Sequence, residues 1–257
     1  MFSSYIAVGD SFTEGLGDER ADGSLRGWAD RVAGALACQH SGGEPFQYAN
    51  LAVRGRKLGP IVDEQLEVAL RQRPDLVSFN AGGNDMLRPG FDAAQSVERS
   101  FAAVDRIREA GPHVLVLAGP DPIRNLPLGE KISARGAAYT DLALERAEGM
   151  EGVTFVDNYH DRAFEDSTHW SEDGLHLSPA GHLRVAANCL DALGVPYPTF
   201  WPDPRDPKPD PKTYRSASYA RHYVVPWVGR RLTGRSSGDG RIPKRPLLGD
   251  FDPALDG

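Results

Sequence analysis

Cysteine is scarce in this sequence, which limits the sulfur chemistry that the chain can support. Its 257 residues include two cysteines, Cys38 and Cys189, which have neither a spacing typical of a metal site nor a third partner. Both lie in Ala- and Leu-rich helical patterns, so we expect two small, buried and reduced side chains. Most of the histidines also lack a recurring spacing, and the sequence therefore predicts a protein without a metal site.

Long hydrophobic runs are absent, and so are the usual export signals. No apolar stretch approaches the roughly 18 residues that a membrane-spanning helix needs. The amino terminus, MFSSYIAVGDS, has neither a basic start nor a segment that resembles a cleavage site. Together with reduced cysteines, these features predict a cytoplasmic location.

Basic charge is in deficit as well. The formal net charge is −7, which argues against nucleic acid as a partner of the whole molecule. The composition is otherwise that of a globular protein, with 40% hydrophobic and 25% charged residues. A chain of this length is expected to form one large domain, or one domain with an appendage.

Strand-like and helix-like segments alternate along most of the chain. Amphipathic helical patterns separate five short apolar runs; one pattern opens with Pro60, and another is capped by Ser178 before Pro179. The apolar runs, which are typical of strands, are residues 5–8, 46–51, 76–81, 113–119 and 153–157. This alternation predicts an α/β fold, a flavodoxin-like three-layer α/β/α sandwich with a five-stranded parallel sheet.

Polar residues and glycines follow several of these strands. In a parallel α/β sheet the active crevice lies at the carboxyl ends of the strands, so residues that follow different strands meet on one rim. A serine, a glycine turn, an amide and an Asp-x-x-His sequence would meet there: Ser11, Gly55, Asn84, Asp173 and His176. Acyl transfer needs such a set, namely a nucleophile, a base, a carboxylate that orients the base, and donors for the oxyanion.

Each of these residues also has a purely structural interpretation. Ser11 alone is more typical of a helix cap, and Gly55 and Asn84 could each serve a turn. The Asp-Gly-Leu-His stretch could belong to a polar surface loop, and His182, inside the next helical pattern, is expected to be structural. The stretch GDSFT places Thr13 where a G-x-S-x-G elbow has glycine, which disfavours an α/β-hydrolase.

Four stretches together carry a specific resemblance. GDSFTEG, NLAVRG, GGND and DGLHLSPAGH resemble, in order and spacing, the four sequence blocks of the SGNH hydrolases, also called the GDSL lipase/esterase family. The resemblance extends over about residues 5–193. It implies the flavodoxin-like fold, a serine hydrolase that acts on esters, and no cofactor.

The resemblance also implies roles for individual residues. Ser11 matches the nucleophile, His176 the base, and Asp173 the carboxylate that orients His176. The oxyanion hole would use the backbone N–H groups of Ser11 and Gly55 and the side-chain amide of Asn84. The implied partner is a small-molecule ester, cleaved through an acyl-enzyme on Ser11. Because no lid is readable in the sequence, we expect an open cleft that favours small or medium acyl groups over long triglycerides.

Substrate preference is weakly marked in the sequence. The side chains placed to line a substrate pocket are those that follow the amide or adjoin the base: Met86, Leu87, Phe91, Trp170 and Leu175. The alternative is that they pack in the core. Within the ester hydrolases, a carbohydrate O-acetyl esterase, a lysophospholipase and a thioesterase stay open. Outside them, the alternative is a binding module on an inactive hydrolase fold, against which the intact candidate residues argue.

The composition changes after residue 195. Of the 20 prolines, 11 lie in residues 196–257, a segment with 11 Lys and Arg against 7 Asp and Glu. We therefore divide the chain into a hydrolase domain, residues 1–195, and a Pro-rich basic extension, residues 196–257. The extension is predicted to begin as a semi-rigid linker, to form a short helix over residues 216–234, and to end without periodicity. We expect it to pack on the acidic body; a homodimer arm on an otherwise monomeric chain, or contact with an anionic membrane surface, are the alternatives.

Overall fold

The computed structural model describes residues 2–41, 43–122, 129–206 and 237–253. Its strands form a single sheet. They are β1 (Ser4–Val8), β2 (Gln47–Asn50), β3 (Leu76–Phe79), β4 (His113–Ala118), β5 (Val153–Asp157) and β6 (Arg245–Asp250). Within the described residues, these six strands lie in the order β5-β4-β3-β1-β2-β6.

The five predicted strands form the parallel part of this sheet. β1 pairs with β2 and β3, β3 pairs with β4, and β4 pairs with β5, all in parallel. β1 and β3 are buried along their whole length, because helices cover both faces of a parallel sheet. The predicted α/β sandwich is therefore confirmed, and its sheet has one strand more than expected.

Helices lie on both faces of the sheet. They are α1 (Ser11–Glu14), α2 (Trp28–Gln39), α3 (Leu58–Pro60), α4 (Glu67–Arg71), α5 (Gly83–Met86), α6 (Ala93–Glu109), α7 (Gly129–Ala147) and α8 (Pro179–Leu193). α2 and α8 pack over one face, toward which Tyr5 and Ala7 of β1 point. α6 and α7 cover the other face, toward which Ile6 and Val8 point. The alternation of side chains along β1 thus divides the core into two clusters.

Two helix starts show how well the caps could be predicted. α8 begins at the predicted cap, Ser178. The helical segment predicted to open with Pro60 begins instead at Leu58, and a π-helical stretch, Ile61–Leu66, joins α3 to α4. The Leu58 N–H donates to Asp85 Oδ2 at 2.9 Å, which satisfies a donor that the first turn of a helix leaves open. A side chain from another loop therefore sets this start.

β6 is the strand that the sequence did not predict. The carboxyl-terminal stretch was expected to end without periodicity and no strand was predicted in it, but residues Arg245–Asp250 pair antiparallel with β2. Its residues do not alternate cleanly between buried and exposed positions, and the strand pattern is therefore hidden in the sequence. Phe251 anchors its end: the N–H donates to the Phe46 carbonyl at 2.9 Å, and the ring lies 5.2 Å from the Tyr48 ring, centroid to centroid.

Three further expectations concern the cysteines, the extension and the membrane. Cys189 is buried as predicted, but Cys38 is exposed, because it lies on the outer side of the last turn of α2. The helix predicted over residues 216–234 and the second half of the predicted linker lie outside the described residues, and the division at residue 195 stays a prediction. In the described part of the chain, no helix is both long and apolar enough to cross a membrane.

His182 connects α8 to the segment between α1 and α2. The ring is fully buried. Its Nδ1 accepts a hydrogen bond from the Trp28 N–H at 3.2 Å, and its Nε2 donates to the Leu16 carbonyl at 3.0 Å. This pattern requires a neutral ring, and burial lowers the pKa of His182 from 6.5 to about 4. The expected structural role of His182 is confirmed by these contacts.

The neutral His182 ring should make the stability of the fold depend on pH. The unfolded chain takes up this proton near pH 6.5 and the folded chain only near pH 4, so the ring's contribution is present above pH 6.5 and lost as the pH falls to 4. Relative to His182→Asn, the free energy of unfolding of the wild type should fall by about 3 kcal/mol over this interval. Denaturant unfolding at pH 7 and pH 4 measures the difference, in which groups common to both proteins cancel. A difference that is the same at both pH values would contradict the prediction.

Candidate active site

Ser11 is the first residue of α1, directly after the turn that ends β1. The N-cap of this helix is Asp10, whose Oδ1 accepts a hydrogen bond from the Phe12 N–H at 3.1 Å. The capping role therefore belongs to Asp10 and not to the half-buried Ser11. Ser11 instead stands at the carboxyl end of a central parallel strand, where α/β folds place their ligands.

The turn before Ser11 is held by a side chain from the π-helical stretch. Gln65 pairs with both backbone groups of Gly9: the Gly9 N–H donates to Oε1 at 2.8 Å, and Nε2 donates to the Gly9 carbonyl at 2.9 Å. Gln65 is buried, so water does not compete for these bonds. A Cβ atom at Gly9 would lie 2.4 Å from Thr13 Oγ1, which explains why glycine is needed. The π-helical stretch thus fixes the turn that carries Ser11.

Gly55 lies in the turn after β2, with a φ of +74° in the left-handed region that favours glycine. Two contacts tie this turn to α1. Asn50 Nδ2 donates to the Thr13 carbonyl at 3.0 Å. The Glu14 carboxylate accepts a hydrogen bond from the Arg54 N–H at 2.7 Å and pairs with the Arg54 guanidinium. The two loops therefore form one hydrogen-bonded unit.

Asn84, in the short helix α5, connects these loops to a third. Its Nδ2 donates to Asp10 Oδ2 at 2.8 Å and to the Arg56 carbonyl at 3.0 Å. A primary amide nitrogen has two hydrogens, so both are engaged. Asn84 thus lies beside the neighbours of Ser11 and Gly55, and the structure brings the three predicted oxyanion donors to one edge of the sheet.

The pKa of the Asp10 carboxyl depends on the burial and the charges at this edge of the sheet. Burial raises its pKa from 3.8 to about 6, although the Phe12 N–H, the charge of His176 and the Asn84 amide all oppose the rise. The loop that carries His176 packs on the segment that follows α1, since a Cβ atom at Gly17 would lie 2.0 Å from the Leu177 carbonyl oxygen. The predicted base and the predicted nucleophile lie on the same rim.

His176 and Asp173 form a close pair, with Nδ1 and Oδ2 2.5 Å apart. Asp173 Oδ1 accepts further hydrogen bonds from the N–H groups of Leu175 and His176, both at 2.9 Å, and from Ser171 Oγ at 2.6 Å. Burial alone would raise the pKa of Asp173, but the hydrogen bond and charge of His176 outweigh it and hold that pKa well below its usual range. An ionised Asp173 fixes the proton on Nδ1 and leaves Nε2 as an acceptor.

A second Asp–His pair has the same spacing. His160 Nδ1 lies 2.8 Å from Asp157 Oδ2, but the His160 side chain is 47% exposed, against 21% for His176. Its other nitrogen, Nε2, lies 3.7 Å from Asp141 Oδ1, so a carboxylate stands where a base would need its substrate. In the ranges that the structure describes, no group of three or more His, Cys, Asp or Glu side chains could hold a metal ion.

The side chains predicted to line a substrate pocket are all at least half-buried. Met86 and Phe91 pack against the core beneath α6 and α7. Trp170 is buried in the core beneath α2 and α8, where its indole N–H is bound to a backbone carbonyl. Leu87 and Leu175 are half-buried. Trp170 thus packs in the core, as the alternative interpretation expected. A role in substrate binding stays a prediction for all five residues.

Sequence reasoning missed the residues that hold the loops together. These are Gln65, the pair of Glu14 and Arg54, and Lys244, which donates to the Glu14 carbonyl at 2.7 Å. Glu14 could have been found from the sequence, because it belongs to the GDSFTEG stretch. Gln65 and Lys244 gave no signal, because their partners lie 56 and 230 positions away in the sequence.

Comparison with known proteins finds a family match and a shared fold. Residues 7–184 match the family model described as GDSL-like Lipase/Acylhydrolase family. The chain is similar to a lipase from a goat rumen metagenome, with 19% identity, a TM-score of 0.59, and 74% of this chain and 96% of that chain covered. An acetylxylan esterase from Geobacillus stearothermophilus is 16% identical, with a TM-score of 0.56, and the match covers 77% of this chain and 97% of that chain. The psychrotrophic esterase EstA from Pseudoalteromonas sp. is also 16% identical, with a TM-score of 0.54, and the match covers 75% of this chain and 97% of that chain. At these identities the likeness shows a common fold.

A curated relative matches a shorter part of the chain. It is the acetyl-coenzyme A carboxylase carboxyl transferase subunit beta of Mesorhizobium japonicum, which is 28% identical over 114 residues. The match covers 42% of this chain and 36% of that protein. The chain thus spans about a third of the length of this relative, and the similarity is confined to that part.

Proposed function

The chain belongs to the GDSL-like Lipase/Acylhydrolase family and is an ester-hydrolysing enzyme, and we propose that it cleaves small or medium acyl esters through an acyl-enzyme on Ser11. The observation that carries this proposal is the 2.5 Å contact between His176 Nδ1 and Asp173 Oδ2, on the rim where Ser11 stands. A serine beside a base of fixed tautomer is the arrangement that nucleophilic acyl transfer requires.

The proposed reaction has two similar halves. Ser11 Oγ attacks the ester carbonyl carbon while its proton passes to His176 Nε2, and the Asp173 carboxylate stabilises the imidazolium that forms. The C–O bond to the alcohol then breaks, and the alcohol leaves with the proton from Nε2. Water repeats the sequence on the acyl-enzyme and releases the carboxylic acid. Apart from the substrate and water, every group that the proposed reaction uses comes from the chain, so the reaction requires no cofactor.

The proposed oxyanion hole combines the N–H groups of Ser11 and Gly55 with the Asn84 amide. Both Asn84 hydrogens already have acceptors, Asp10 Oδ2 and the Arg56 carbonyl. A substrate oxygen must therefore take one hydrogen from the Arg56 carbonyl. A neutral ester oxygen gains little by this exchange, whereas an oxyanion is a much stronger acceptor than a carbonyl. Asn84 would thus bind the transition state better than the substrate, which raises kcat.

The packing after Asn84 supports a short acyl group. Met86 and Phe91 are already partly buried against the core, so they leave little free apolar surface beside the proposed hole. Each methylene that an enzyme buries is worth about 0.8 kcal/mol, or roughly a fourfold gain in kcat/KM. Without such a surface, lengthening the acyl chain should bring no gain.

A chain-length series tests the proposal. With p-nitrophenyl esters from acetate to decanoate, we expect kcat/KM to reach its highest value at the short end and to gain nothing beyond about six carbons, because Met86 and Phe91 already pack partly against the core. A parallel assay then identifies the leaving group that the enzyme prefers. It uses acetylated xylooligosaccharides, a lysophospholipid and an acyl thioester. A kcat/KM that rises through decanoate would contradict the short-chain proposal.

A further inference from the structure

Residues 237–251, here called the C-terminal brace, reach the candidate active site from the edge of the sheet. Lys244, just before β6, donates from Nζ to the Glu14 carbonyl at 2.7 Å, to the Leu25 carbonyl at 3.1 Å and to Asp30 Oδ2 at 2.6 Å. These contacts use all three hydrogens of the ammonium group. The Lys244 side chain is 19% exposed and that of Asp30 is 9% exposed, so the contacts are largely shielded from water. Glu14 is the last residue of α1, the helix that Ser11 begins.

The brace also touches the turn of Gly55. Gly238 packs on the peptide group between Arg54 and Gly55: a Cβ atom at Gly238 would lie 2.1 Å from the Arg54 carbonyl oxygen and 3.0 Å from Val53 Cγ1. The N–H of that same peptide group belongs to Gly55 and is a donor of the proposed oxyanion hole. The preceding N–H, that of Arg54, is bound by the Glu14 carboxylate. Brace and α1 thus contact adjacent peptide groups.

The brace has its own anchor. β6 pairs with β2, the strand that leads into the turn of Gly55. Arg245 and Phe251, at either end of β6, lie against the Tyr48 ring of β2, with 6.0 Å from the guanidinium to the ring and 5.2 Å between ring centroids. The pairing of β6 with β2 fixes the position of the brace along the sheet. Gly238 and Lys244 can therefore hold the loops in one position.

We infer that the C-terminal brace positions the oxyanion donors of this enzyme, with Lys244 acting through α1 and Gly238 acting through the peptide group between Arg54 and Gly55. Both are positioning residues, and the inference rests on the proposed function, because the hole is part of it. A displacement of about 1 Å in a group that must meet the reacting atoms can lower the rate roughly 100-fold. Hydrogen-bond donors in a fixed array are sensitive to such displacements because they act by distance and direction.

Gly238→Ala tests the inference with one added methyl group. The backbone of Gly238 lies outside the left-handed region, so alanine acts through its contact with the Arg54 carbonyl and not through backbone strain. We expect kcat to fall about 10- to 100-fold while KM changes less than about twofold. The rate of labelling by a fluorophosphonate should fall in parallel, because its phosphoryl oxygen occupies the same hole.

Gly249→Ala is the matched control. It adds the same methyl group to the same brace, but a Cβ atom at Gly249 meets nothing within 4 Å. Its kcat and labelling rate should equal those of the wild type. An equal loss in both alanine variants would overturn the inference, because the contact with Arg54 would then not be the cause.

A second variant removes the other arm of the brace. Lys244→Met combined with Asp30→Asn takes away both charges together, which leaves no lone buried charge. We expect the same fall in kcat at nearly constant KM, and this variant serves if Gly238→Ala does not fold. A folded variant of either kind with the kcat of the wild type, even at a lowered Tm, would overturn the inference and leave the proposed function standing. A wild type that neither hydrolyses esters nor reacts with the fluorophosphonate would overturn both.

Discussion

Ser11→Ala is expected to abolish nearly all ester hydrolysis and to leave the fold intact. Because a methyl group cannot attack a carbonyl carbon, only substrate binding and the oxyanion donors still act, and kcat/KM should fall by about 10⁴- to 10⁶-fold. The fold should survive because Asp10 caps α1 and Gln65 holds the preceding turn. Hydrolysis of p-nitrophenyl acetate measures the loss, and circular dichroism checks the fold.

Ser24→Ala is the control for this experiment. Ser24 is an exposed serine in the segment between α1 and α2, and its variant should hydrolyse esters and take up a fluorophosphonate as the wild type does. Mass spectrometry of labelled peptides should place the phosphonyl group on Ser11 in the wild type and in Ser24→Ala. Substantial turnover by purified Ser11→Ala, or a label on another residue, would show that Ser11 is not the nucleophile.

Asp173→Asn should lower kcat by about 10⁴-fold with almost no change in shape. The Asp173 carboxylate accepts from His176 Nδ1, whereas an asparagine amide can also donate to that nitrogen. The donated bond favours the tautomer with its proton on Nε2, so the ring presents a donor to Ser11 instead of an acceptor. The pKa of Asp173 lies well below its usual range, so the wild type carries this carboxylate in its ionised form throughout the neutral pH range.

Asp157→Asn is an unusually close control, because it makes the same change in the second Asp–His pair. His160 Nδ1 lies 2.8 Å from Asp157 Oδ2, with the same three-residue spacing as the pair of Asp173 and His176. Activity should survive Asp157→Asn, measured as kcat with the short-chain ester. If the two variants exchanged their effects, the base would be His160 and the assignment of His176 would be wrong.

The parallel sheet could be predicted because its signals are local. β5 has the bounds that the apolar run gave, Val153–Asp157, and the other four predicted strands differ by one or two residues at their ends. The meeting of Ser11, Asn84 and His176 on one rim followed from topology, since parallel strands point their carboxyl ends the same way. Local pattern and a general rule of connection were sufficient for both.

The remaining features depend on contacts between distant parts of the chain. Lys244 and Asp30 are 214 positions apart, and no pattern near either residue indicates the other. The start of α3 at Leu58 depends on a carboxylate from the loop of Asn84, that of Asp85. In each case a tertiary hydrogen bond decides a detail that local propensity leaves open.

β6 also changes what the molecule presents to its neighbours. Without it, β2 would end the sheet with a row of open N–H and C=O groups behind the buried side chains of Tyr48 and Ala49, and such an edge can template fibrils and amorphous aggregates. β6 covers that edge and brings charged residues and a proline to the new one: Arg245, Pro246 and Asp250. Proline has no N–H to offer a further strand, and charged side chains at an edge would lose water if another strand paired there. The cover therefore protects this side of the sheet from edge-to-edge aggregation at high protein concentration.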